Sequence, residues 1–144
     1  MKRFILAGAA CALSAAAAAQ TGQPAEQVTV RAMADRFAPP AQLRNMWYDE
    51  FDLVKGDYTL SDGRSMQLST WGNRMYARVE GIGKLQLVAL SPYEFVALGK
   101  PLRIVIDDPE TSSAPRITAT VTMPAHLLSD AGPAGALLTL LAHR

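Results

Sequence analysis

Gly56-Asp57-Tyr58-Thr59-Leu60-Ser61-Asp62-Gly63-Arg64-Ser65-Met66-Gln67-Leu68-Ser69 is the stretch on which the fold turns. Tyr58 and Leu60 alternate with Asp57 and Thr59. After a break, Met66 and Leu68 share one face and Gln67 and Ser69 the other. A period of two is that of a strand with one buried face. Between the two runs stands Asp62-Gly63. It is a strong hairpin signal, because a tight primed turn needs the positive φ that glycine adopts without steric cost. The stretch predicts two antiparallel strands joined by a tight turn.

Downstream, the same period repeats. Trp71-Gly72-Asn73-Arg74 reads as a second turn, and Met75, Ala77 and Val79 then oppose Tyr76 and Arg78 on a third strand. Gly81-Ile82-Gly83 turns again; it is too short for a phosphate-binding loop and lacks the strand–loop–helix context of one. Residues 85–90 are apolar on both faces apart from Gln86, which suits a central strand. Ser91-Pro92 and Gly99-Lys100-Pro101 punctuate two further runs, residues 94–98 and 102–106. Residues 116–123 alternate most cleanly, with Ile117, Ala119, Val121 and Met123 against Thr118, Thr120 and Thr122. Pro124 ends that run. Residues 137–142 read as a last strand, because Gly132, Pro133 and Gly135 precede them and nothing caps a helix. The pattern amounts to about six closely spaced strands with one more candidate at each end, the N-terminal one being Val28-Thr29-Val30. The fold class is mostly β: a small antiparallel meander closing as a barrel or strongly curved sheet.

Upstream, the period changes. Leu43, Met46, Trp47 and Phe51 fall at helical spacing, and Pro40 stands near the start expected for such a segment. This short helix is expected to plug an open end of the sheet. Further back, Lys2 and Arg3 precede an apolar run over residues 4–19. It ends in Ala17-Ala18-Ala19 before the polar Gln20, the layout of a secretory signal peptide cleaved after about Ala19. The expected organisation is a signal peptide at residues 1–19, a flexible leader with a short strand and a short helix at 20–50, and an antiparallel β domain at 51–144. The expected location is periplasmic or secreted.

Composition narrows the function. The one cysteine, Cys11, lies inside the signal, so the mature chain has neither disulfides nor thiolate metal sites. Gly8 stands three places before Cys11, where a lipoprotein signal carries a large aliphatic residue. The apolar run is short of the ~20 residues that span a bilayer, so no stable membrane insertion is expected after cleavage. The chain has 14 Lys+Arg and 13 Asp+Glu; without Lys2 and Arg3 the mature chain has 12 against 13. With no basic stripe, nucleic-acid binding and polybasic adhesion to anionic lipid are disfavoured.

Three motifs suggest a relationship. Residues 56–63 follow G-x-Y-x-L-x-[DN]-G, residues 75–81 read Met-Tyr-Ala-Arg-Val-Glu-Gly, and residues 87–95 follow L-x-x-[LV]-[SP]-x-x-x-F. Together, across residues 56–106, they resemble the small β-barrel domain that follows the catalytic domain of many β-lactamase-like serine hydrolases. They also resemble stand-alone secreted bacterial proteins of unknown function. The resemblance implies an architecture alone. In such hydrolases the catalytic residues lie in the preceding domain, so none carries over to this chain.

Chemistry-bearing motifs are sparse. G-x-S-x-G and S-x-x-K are absent. Ser112 and Ser113 sit in a proline-flanked loop with no base beside them. A triad would need His126 or His143, both in the C-terminal tail. Asp49, Glu50 and Asp52 close the expected helix, and Asp107-Asp108-Pro109-Glu110 opens the longest loop. Neither cluster has the D-x-[DN]-x-[DN]-G spacing of a calcium loop, and Asp-Pro favours a turn by itself. Among the aromatics, Trp47 and Tyr58 read as core, whereas Trp71 at a turn and Tyr76 beside it are the candidate ligand- or partner-binding residues.

The leading expectation is a non-catalytic binding or interaction module for an envelope protein or a small apolar or glycan ligand, with no metal and no cofactor. One alternative is a hydrolase with a sparse site of Asp107, Asp108 or Glu110 near His126. Another is an accessory domain acting in trans with a separate serine hydrolase.

Overall fold

In the first hairpin, β1 (Gly56–Leu60) and β2 (Ser65–Trp71) pair antiparallel with Asp57 opposite Gln67 and Tyr58 opposite Met66. The Gly63 N–H donates to the Leu60 carbonyl at 2.9 Å, and the Leu60 N–H to the Arg64 carbonyl at 2.8 Å. The central residues of the turn are therefore Ser61 and Asp62, with Gly63 (φ +86°) closing it. This turn is longer than the tight two-residue one that Asp62-Gly63 suggests. The Asp62 Oδ1 accepts the Arg64 N–H at 3.1 Å, an aspartate-to-backbone bond that favours the longer form.

The computed structural model describes residues 34–42, 44, 48–111, 116–128 and 135–144. Val28-Thr29-Val30, the signal run, Leu43, Met46, Trp47, Ser112 and Ser113 lie outside the described residues. After β2 come β3 (Arg74–Val79), β4 (Gly83–Ser91), β5 (Glu94–Ala97), β6 (Arg103–Ile106), β7 (Thr118–Pro124) and β8 (Leu137–His143). Each pairs antiparallel with the one before it, and β8 returns to β1, giving a closed barrel in sequence order. Among the described residues, seven strands thus precede the turn that starts at Ala125, one more than the six counted from the sequence, and the C-terminal candidate is the eighth.

The inward positions are those that alternation selects. Met66, Leu68, Ala77, Val79, Leu87, Phe95, Ile104, Val121 and Met123 are all buried in one cluster. No polar or charged residue is buried among the described ones. An eight-stranded barrel is just wide enough for side chains to fill, and Leu, Met and Phe fill this one.

One end is stoppered by α1 (Tyr48–Asp52) and the turn after it: Phe51 and Val54 are fully buried in the same cluster. Phe51 meets Phe95 edge to face, with ring centroids 5.6 Å apart and planes at 82°. The Tyr58 hydroxyl donates to the Val54 carbonyl at 2.5 Å, tying the plug to β1. The plug is the one or two helical turns that the apolar spacing suggests, but it does not start near Pro40. Arg44 is extended and bridges to Ala89 instead of lying in a helix that starts near Pro40. Ala89 lies past the end of the β3–β4 ladder, whose last pair is Met75 with Leu87, so its backbone is open to this partner.

The two-faced apolarity of residues 85–90 has a different origin from a central position, since a closed ring has no edge and no centre. Val88 and Val96 pair across β4 and β5, pointing outward by alternation. They are nonetheless 7% and 0% exposed. The outer wall is covered here, where the chain before α1 returns to the barrel and Arg44 bridges to Ala89, the neighbour of Val88.

Closure rests on a narrow seam. β7 and β8 pair along their whole length, from Thr118–His143 to Pro124–Leu137. β1 and β8 pair only at Thr59–His143 and Leu60–Ala142. Ser61 extends that ladder: its N–H donates to the Leu141 carbonyl at 2.7 Å, and its Oγ accepts the Leu141 N–H at 3.2 Å. Arg144 adds a latch, its guanidinium donating to the Lys55 carbonyl.

Candidate functional site

Trp71 and Arg74 are the last pair of the β2–β3 ladder, so Gly72 and Asn73 form a two-residue turn. Such a turn needs positive φ at its first central residue, and Gly72 supplies +56°. The turn lifts Trp71 clear of the barrel end. At 73% exposed it is the most exposed large apolar side chain among the described residues. An open depression of about 390 Å³ is lined by Trp71, Gly72, Asn73 and Arg74.

Strand parity places Tyr76 on the same outer wall. Ala77 and Val79 point inward, so Arg74, Tyr76 and Arg78 point outward. Register then brings Lys84 opposite Arg78 and diagonal to Tyr76. The Lys84 ammonium lies 4.1 Å from the centroid of the Tyr76 ring and 6.0 Å from that of Trp71. A cation over a ring face at this range is held by the ring quadrupole. The two aromatics expected from the sequence thus share one face, with Lys84 between them. Arg74, Arg78 and Lys84 form no ion pair among the described residues. The acid in the same cross-strand row, Asp57, takes a hydrogen bond from Gln67 Nε2 at 2.9 Å.

Sequence pattern alone does not pick out these three cations. Arg78 is visible near Tyr76, but Lys84 joins them only through hairpin register. A three-residue turn at Glu80, Gly81 and Ile82 sets Val79 opposite Gly83, and that fixes Lys84 against Arg78.

Asp107 and His126, which a sparse hydrolase site would combine, lie at opposite ends of β7. Asp107 follows β6 at the end of the barrel where β7 begins, its N–H donating to the Thr118 carbonyl at 2.9 Å. His126 lies in the 3-10 turn Ala125–Leu127, beyond the other end of β7. The seven residues of β7 separate them, roughly 20 Å of strand. His143 lies nearer, paired with Thr118, but the Thr118 hydroxyl is donated to the Asp107 carboxylate.

The acidic loop turns on itself. The Asp108 Oδ1 accepts the Glu110 N–H at 2.9 Å. That bond, with others from Thr111 and Tyr93, holds the Asp108 carboxyl below its ordinary range against partial withdrawal from water. The Tyr93 phenol is pushed up in turn by withdrawal from water, by the charges of Asp108, Glu110 and Glu50, and by its bond to Asp108. No group of three or more metal-ligating side chains occurs among the described residues.

No family model, no curated protein and no solved structure matches the chain.

Proposed function

We propose that this chain is an exported, non-catalytic β-barrel binding module whose recognition face is built on Trp71 and Tyr76. The observation that carries this reading is the exposed Trp71 ring, raised on a glycine turn beside Tyr76. Leaving an indole in water at a rigid turn forgoes the burial that normally stabilises it, and exposed aromatics of this kind serve as anchors. The scaffold suits such a role. Its interior is filled by apolar side chains, so the outer wall is where chemistry is displayed.

That wall is polar across four strands, where Asp57, Gln67, Arg78 and Lys84 lie side by side. A barrel that sits in lipid has the reverse pattern, apolar outside and polar within. Among the described residues no helix is long and apolar enough to cross a membrane. Export is supported by the basic start, apolar run and small-residue site of residues 1–19.

The test is mass spectrometry of the protein purified from the cells that make it. The intact mass is expected to correspond to a chain beginning near Gln20, recovered from the envelope or medium. Under gentle conditions a bound species is expected on the native protein and not on an equally folded Trp71→Ala variant. A full-length cytosolic mass would refute export. Equal retention by the variant would refute the Trp71 face.

A further inference from the structure

We infer that the Trp71–Tyr76 face takes an acidic oligosaccharide, a sugar chain bearing carboxylates of the uronic-acid type. The inference rests on the binding-module reading and names the chemistry of its ligand.

The first argument is charge. Arg74, Tyr76 and Arg78 alternate along the outside of β3, with Lys84 across from Arg78. Three cations with no carboxylate partner among the described residues share the face of Tyr76, Lys84 over its ring and Arg74 and Arg78 two residues to either side on β3. This is a local excess in a mature chain whose basic and acidic residues nearly cancel. Lys84 is held at 4.1 Å over Tyr76, which fixes its position without neutralising it. The arginine forks match carboxylate geometry and gain most from a planar anion.

Shape supplies the second. A peptide that adds to a sheet needs a long open strand edge; β3 is paired on both sides over this face, and the stretch of β2 without a β1 partner is only Ser69 to Trp71. A peptide anchored by side chains needs a deep, dry apolar pocket. The depression here is open and lined by Gly72, Asn73 and Arg74 beside the indole. A sugar ring has one apolar face to lay on Trp71 and hydroxyl and carboxylate groups for the polar residues around it. From Arg74 to Arg78 the face runs about 13 Å along the strand, long enough for several linked rings. Nucleic acid, another polyanion whose rings stack on aromatics, calls for a longer phosphate-tracking run of cations than the three on this face.

The experiment is calorimetric titration of the mature protein with hexamers of galacturonic, mannuronic and glucuronic acid. A neutral glucose hexamer and a glutamate hexapeptide are the comparisons. At least one uronic-acid hexamer is expected to bind, and the glucose hexamer and the peptide to bind at least about tenfold more weakly. Trp71→Ala is expected to weaken binding about tenfold or more. Arg78→Gln and Lys84→Gln are each expected to weaken it several-fold and to flatten its salt dependence, with unchanged melting temperatures. Equal affinity for neutral and charged hexamers would overturn the acidic ligand while leaving the Trp71 face standing. Binding of the glutamate peptide alone would overturn the sugar. Binding indifferent to Trp71→Ala, or none with any probe, would overturn the inference.

Discussion

Replacing Phe51 with alanine tests whether α1 is part of the barrel core or a flap laid on it. Phe51 is 1% exposed, and its partner Phe95 is 0% exposed. Burying a phenyl ring fully contributes about 1.5–3 kcal/mol by transfer alone. The cavity left in a core that collapses incompletely raises the measured cost of Phe→Ala to about 3–5 kcal/mol. Of that, about 0.5–1.5 kcal/mol belongs to the edge-to-face pair with Phe95. A domain of this size is stable by about 5–15 kcal/mol, so the variant is expected to fold but with a large part of its margin gone. Urea denaturation followed by circular dichroism reads this directly. The midpoint falls while the slope stays constant, because the surface exposed on unfolding is unchanged. Phe51→Leu, which keeps most of the volume, is expected to lose distinctly less. A loss below about 1 kcal/mol for Phe51→Ala would mean that the helix lifts away and the barrel stands without it.

Trp71→Ala, at an exposed turn, is expected to change stability by no more than about 0.5 kcal/mol, measured by the same unfolding curve. Ser61→Ala removes the acceptor of the Leu141 N–H at the seam and is expected to cost about 0.5–1.5 kcal/mol, with faster hydrogen exchange confined to β1 and β8. Tyr58 and Tyr93 are both pushed above the ordinary phenol value of 10.0, Tyr58 chiefly by burial. A raised folded value gives stability that is fully present below the ordinary phenol value and lost as pH rises through the folded value. Ultraviolet titration is therefore expected to show late-ionising tyrosines accompanied by alkaline unfolding, and Tyr58→Phe to remove one of them. Asp108 has the opposite sign: its depressed value contributes above the ordinary carboxylate range and is lost as pH falls through the folded value. A carboxylate resonance titrating below that range, and returning toward it in Thr111→Ala, would confirm the loop bonds.

The strands are legible in the sequence because this barrel has one dry and one wet face, and alternation reports that directly. Thr118, Thr120 and Thr122 outside and Ala119, Val121 and Met123 inside need no further information. Residues 85–90 mislead for the same reason. Val88 is buried from outside by chain distant in sequence, and a local pattern cannot separate that from burial in a central strand. Pro40 misleads as a helix start because Arg44 has a non-local backbone partner in Ala89. In the candidate site, Trp71 and Tyr76 stand out by residue type, whereas Lys84 requires the register of a hairpin whose turn length has to be known. The separation of Asp107 from His126 is likewise a matter of strand direction, invisible until β7 is placed between them.

The narrow seam between β1 and β8 sets the order in which the molecule can assemble. Every other neighbour relation joins consecutive strands, so seven hairpin-like contacts form from nearby chain. The eighth brings Ser61 to Leu141, 80 residues away. Closing an open loop of that length costs entropy that grows only with its logarithm, and here most of it is spent in smaller steps as each strand joins the last. The final step is then the swing of an already curved sheet onto its own first strand. Folding rate is expected to depend little on β1–β8 contacts, and unfolding rate strongly, so substitutions at Ser61 and Arg144 should shorten the lifetime of the ring without slowing its formation.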